Sequence, residues 1–172
     1  YKGKNVDDIY MSYFALVEAA AASGLFDIIG HCDLVRIYGF MPSYGLDELY
    51  RKLARSFRKY DVAFEINTNG RNRPVGDFYP DRRFLSTFCE EKVPVCVDPT
   101  STLLAPRFIP YLDQVFMVIP NIYEAAILCG RDSYSNNPDG GLQAARCLVN
   151  LGVQVAIVAL AEHGVCYATP ET

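Results

Sequence analysis

Apolar residues in the first quarter of the chain recur at helical spacing. Tyr10, Tyr13, Phe14, Val17 and Ala21 share one helix face, and Gly24 suits the end of that helix. FDIIGH then reads as a short buried strand. Leu46, Leu49, Leu53 and Phe57 mark a second amphipathic helix, and DVAFEIN at 61–67 a second strand. A helix over 81–91 leads into KVPVCVDP, where Val93, Val95 and Val97 suit a buried strand that Pro99 stops. A short helix near 103–111, a strand in QVFMVI and a helix over 122–129 closed by Gly130 follow. RDSYSNNPDGG at 131–141 is a loop by its Asn, Asp, Pro and Gly content. A helix from Gly141 to Leu151 and the strands VQVAIVAL and VCYAT complete the chain. This alternation predicts an α/β fold with helices covering a mainly parallel sheet, its strands near 26–30, 61–66, 93–97, 115–119 and 154–158.

Composition narrows the function classes. The 172 residues are 51% hydrophobic with a net charge of −4, which fits a globular chain and not a nucleic-acid surface. No apolar run approaches the roughly 20 residues a membrane helix needs. YKGKNVDDIYMSYF has neither the apolar core nor the cleavage site of a signal peptide, and a chain opening on Tyr1 reads as a fragment. The six cysteines include no C-x-x-C pair and fall mostly in apolar stretches, so they read as reduced core residues of a cytoplasmic protein.

In sheets of this kind ligands sit beyond the carboxyl ends of the strands. That rule selects GHCDLVR, NTNGRNRP and PNIYEA. His31 and Asp33 leave a strand end together and form a candidate metal pair, with Arg36 one turn later as a candidate phosphate clamp. From spacing alone, the leading account of those residues is that His31 caps a strand and Asp33 opens a helix. The longer stretches YMSYFALVEAAAASGLFDIIGHCDLVRIYG and YDVAFEINTNGRNRPVGDFYP resemble the histidinol-phosphatase branch of the PHP phosphoesterases across residues 1–97. That resemblance implies a partial β/α barrel and a cluster of divalent metals of the Mn, Zn or Fe type, which activates water against a phosphate monoester. By the same resemblance His31, with Asp33, is a metal ligand, while Arg36, Glu65 and Asn67 lie at the substrate phosphate. The family's cluster needs several histidines, and this chain has 2. A complete metal cluster is therefore not expected from it.

From Val93 onward, VPVCVDPTSTLLAPRFIPYLDQVFMVIPNIYEAAILCG resembles the ribokinase-like (PfkB) carbohydrate kinases, near the pseudouridine and nucleoside kinases. The resemblance implies Mg and ATP, with Asn121 and Glu124 organising magnesium-bound water and phosphate. Asn at a helix cap with Glu three residues on is also a capping box, which needs no ligand. AIVALAEHGVCYAT aligns with the family's nucleotide-side loop, where Gly164 matches but Ala159 and Ala161 replace the usual Thr and Gly. The family's catalytic aspartate, in a later G-A-G-D motif, has no counterpart before Thr172. The expectation is two partial segments, 1–97 phosphatase-like and 98–172 kinase-like, joined within a strand pattern common to both. A recombination, a sequence-assembly error or a deliberate chimera would each produce it. The function classes are phosphate-ester chemistry on a small-molecule phosphate ester, sugar or nucleoside, or a catalytically silent α/β chain, with no nucleic-acid or membrane partner.

Overall fold

The computed structural model describes residues 3–172 and divides the chain into two compact units, Tyr1–Pro94 and Val95–Thr172. Both are α/β, and the strand pairs within them are mainly parallel.

In the first unit, α1 spans Val6–Ala22. The Asn5 side chain caps it, accepting the Asp7 N–H at 3.0 Å, and its buried face is Tyr10, Phe14, Val17 and Ala21. β1 is only Ile28–Ile29, and it pairs in parallel with β2, Ala63–Asn67, in the register Ile28↔Ala63. Between them α2, Asp47–Tyr60, buries Tyr50, Leu53, Ala54 and Phe57 and ends at Asp61, which takes a left-handed φ of 56°. α3, Arg82–Glu90, starts from Asp81, whose carboxylate accepts the Phe84 N–H at 2.8 Å. The core joining these elements is aromatic. Phe84 stacks on Phe88 at 4.0 Å, and Tyr50, Phe57 and Phe64 meet that stack edge-on with centroids 5.0–5.1 Å away.

The second unit begins with β3, Val95–Asp98, followed by β4, Met117–Val118, β5, Val155–Ala159, and β6, Val165–Ala168. β3, β4 and β5 are parallel neighbours, and β6 returns antiparallel to β5. The antiparallel return follows from the short turn at 160–164, which is too short for a parallel crossover. β4 is shorter than its apolar run, yet Phe116 and Ile119 donate to Val95 and Val97 and extend the ladder at both ends. The helix expected near 103–111 is a 3₁₀ segment, Ala105–Gln114, with Pro106 in its first turn and Pro110 inside it. A proline inside cannot donate an i−4 bond, which disfavours an α-helix there. α4 is Ile122–Leu128 and α5 is Pro138–Asn150. α5 starts three residues earlier than its apolar periodicity suggests, because Asn137 caps it and Pro138 occupies its first turn. It also lies close to the sheet. A Cβ on Gly141 would come within 2.8 Å of Leu160 Cδ1 and 2.9 Å of Cys166 Sγ. Among the described residues, no helix is long and apolar enough to cross a membrane.

Candidate functional site

The polar residues past β1 and β2 form two adjacent groups in the first unit. His31 follows β1 with a left-handed φ of 50°. Its N–H donates to Glu65 Oε2 at 3.0 Å, and its Nδ1 lies 3.2 Å from the same oxygen. The Tyr13 hydroxyl donates to the His31 carbonyl at 3.0 Å. Gly30 makes this approach feasible, since a Cβ there would stand 2.8 Å from Glu65 Oε2. Asn67 donates to Glu65 Oε1 at 3.0 Å, and its own side-chain oxygen accepts the Asn69 N–H at 2.9 Å. Burial works against the Glu65 charge, but the bonds from His31 and Asn67 outweigh it and hold this carboxyl below its usual range. His31 opens onto a cleft of about 440 Å³, lined also by Leu34, Ile37, Asn69, Arg73 and Tyr79.

Asp33 and Arg36 face elsewhere. Asp33 is fully buried, and its Oδ2 accepts from the Arg36 guanidinium at 2.5 Å and from the Asp81 N–H at 2.8 Å. Arg36, 6% exposed, also reaches Asp77 at 3.5 Å and Asp81 at 3.8 Å. Burial raises the Asp33 carboxyl to about 6, although Arg36 pulls the other way. Burial also opposes the Arg36 charge, and Asp33 and Asp81 more than offset it, so this guanidinium is held above its ordinary value. With three carboxylates around it, Arg36 acts as a tie between the 3₁₀ turn at 34–36 and the start of α3. Asp33 Oδ1 and Arg36 Nε are buried with no hydrogen-bond partner.

A metal cluster of the kind the resemblance implies does not fit these residues. His31 and Glu65 converge, but among the described residues no three His, Cys, Asp or Glu side chains form a metal-holding group.

In the second unit Asn121 and Glu124 stand where β4 passes into α4. Asn121 Oδ1 accepts the N–H groups of Tyr123 and Glu124, both at 3.0 Å, and Glu124 Oε2 accepts the Asn121 N–H at 2.9 Å. This is a full capping box, with Asn121 Oδ1 and Glu124 Oε2 turned onto the backbone. Burial raises the Glu124 carboxyl above its ordinary value, and the Asp98 charge adds to this. Asn121 bridges to Ala159 on β5, and Gly164, with a φ of 85°, lies in the turn that follows that strand. The Gly164 turn and the Asn121 junction are therefore at the same end of the second unit.

The sequence reading did not single out Arg73 and Tyr79. Two arginines, Arg71 and Arg73, follow β2, and their spacing does not distinguish them. The fold does: Arg71 lies over the Phe78 ring, 5.3 Å from its centroid, while Arg73 lines the His31 cleft.

Comparison with known proteins gives partial similarity. No protein-family model matches the chain. A curated Deinococcus radiodurans protein described as "Probable histidinol-phosphatase" is 35% identical over 97 residues, covering 55% of this chain and 35% of that one. The chain thus spans about a third of that relative's length. Among solved structures, an ADP complex of Bacillus subtilis pyridoxal kinase aligns with a TM-score of 0.47 at 18% identity, covering 71% of this chain and 51% of that one. A phosphofructokinase-2 mutant from Escherichia coli also scores 0.47, at 20% identity, with 73% and 40% covered. Neither score reaches 0.5, and no reading of this chain rests on them.

Proposed function

We propose that the first unit binds the phosphate group of a small phosphate ester in the His31 cleft, as a partial phosphoesterase of the histidinol-phosphatase kind. The observation that carries this is the meeting of His31 and Arg73 on one cleft, with Glu65 and Asn67 fixing the imidazole beside it. A guanidinium and an imidazole supply charge-assisted donors to phosphate oxygens. The 97-residue similarity to a curated phosphatase supports the same substrate class. Hydrolysis is not proposed for this chain alone, because the described residues hold no ligand set for the metal cluster that would activate water. Arg36, occupied by carboxylates, is assigned to structure, and Arg73 takes the phosphate role.

For the second unit, the segment around Asn121, Glu124 and Gly164 derives from a PfkB-type kinase that used Mg and ATP. The second reading, a catalytically silent α/β chain, is favoured at Asn121 and Glu124 by their capping box.

Calorimetric titration with inorganic phosphate and with an imidazole-bearing alcohol phosphate tests the binding. Loss of one charge-assisted donor in Arg73→Ala should weaken phosphate about 10- to 100-fold. Equal affinity in the unaltered chain and Arg73→Ala, or no binding in either, would remove the proposal.

A further inference from the structure

Cys129 follows the last residue of α4, and Cys147 lies in the last turn of α5, the helix packed against it in the second unit. Cys129 Sγ sits 3.8 Å from the Ala144 carbonyl oxygen, and Ala144 is one turn before Cys147 on α5. The two thiols interact with each other and with the Tyr134 hydroxyl, so three titratable groups share one point on the helix seam. Both cysteines are half-buried free thiols. Cys147 also lines an open cleft of about 510 Å³ with Arg131, Ser133, Tyr134, Gln143 and Arg146. None of these residues takes part in the phosphate cleft of the first unit.

We propose that Cys129 and Cys147 form a reversible redox pair, closed to a disulfide by exchange with a small carboxylate-bearing disulfide such as glutathione disulfide. Arg131 and Arg146 give the cleft the charge to receive such a reagent. Cys147, on the cleft wall, loses its proton and attacks one sulfur of the reagent. This forms a mixed disulfide and expels one glutathione thiolate, which takes up that proton. Cys129 then attacks the Cys147 sulfur, and the Cys129 proton passes to the second departing glutathione. Two protein thiols are oxidised to one disulfide, and one glutathione disulfide is reduced to two thiols. Cys147 is on the wall of the open cleft, so it is the thiol that a reagent entering there meets first. The closed disulfide ties the end of α4 to α5, and α4 is the helix whose start carries Asn121 and Glu124.

The test incubates the full chain with glutathione disulfide, blocks the remaining thiols by alkylation, and maps the digest by tandem mass spectrometry. Fragment ions are needed because Cys147 and Cys166 share a tryptic peptide. The expected product is a Cys129–Cys147 linked pair lighter by two hydrogens and reversed by dithiothreitol. Cys129→Ser should stop at a glutathione adduct on Cys147, and Cys147→Ser should leave Cys129 free to be alkylated. The proposal falls if Cys147 in the unaltered chain stays unreacted or remains a glutathione adduct. It falls equally if Cys129 links to Cys96 or Cys166 instead.

Discussion

Replacing Arg36 with Met tests the buried charge group in the first unit and predicts a pH dependence as well as a loss. Arg36 is the close partner of a fully buried Asp33, 2.5 Å away, and removing one member of such a pair costs about 3–5 kcal/mol. The cost at any pH depends on whether Asp33 can take up a proton. In the folded chain its carboxyl titrates near 6, against about 3.9 when unfolded, a difference worth about 3 kcal/mol. Between those two values the folded state holds the proton and the unfolded state does not, so stability falls as pH rises. Above 6 the unaltered chain levels off. Without Arg36, only the Asp81 N–H still opposes burial at Asp33, so its folded value moves higher and the variant keeps losing stability beyond pH 6. The gap between the two chains should therefore be roughly constant below pH 6 and widen above it by up to about 1.4 kcal/mol per pH unit. Urea denaturation followed by circular dichroism at half-unit intervals from pH 5 to 8 measures it. Asp33→Asn in the Arg36→Met background should flatten the profile and recover part of the loss. A gap that stays the same from pH 5 to 8 would refute the reasoning, because the stranded group would then not be Asp33.

Two further outcomes concern the helices. Asn121→Ala removes the acceptor for the Tyr123 and Glu124 N–H groups and should cost about 1 kcal/mol in the same denaturation assay, with no change beyond noise ruling out a structural role for the cap. Phe88→Ala, at a fully buried ring touching Phe57, Phe64 and Phe84, should cost about 3–5 kcal/mol; a much smaller loss would mean that the aromatic cluster closes over the gap.

The helices were legible because their information is local. Tyr10, Phe14, Val17 and Ala21 repeat at the helical period, and the structure buries that face. Asn121 with Glu124 three residues later is a capping box in sequence and in space. The parallel pairing of β1 with β2, and of β4 with both β3 and β5, follows from strand–helix alternation, since each return to the same edge needs a crossover. The contents of the candidate site were not legible in the same way. His31, Asp33 and Arg36 are close in sequence and were expected to share one task, yet Glu65 holds His31, and Asp77 and Asp81 help hold Arg36. Those partners come from 34 or more residues away, so only the packing of β1 beside β2 and of the 34–36 turn against the start of α3 decided which charge met which. Arg71 and Arg73 differ by two positions and by nothing in composition. One covers the Phe78 ring and the other faces the cleft, because the direction of a side chain in a turn is set by the backbone path of the folded loop. By itself the sequence determined where the helices run, which way most strands pair and that phosphate chemistry is the class to consider. The tertiary structure alone decided that Arg73, and not Arg36, lines the His31 cleft, because burial among three carboxylates had already claimed the other.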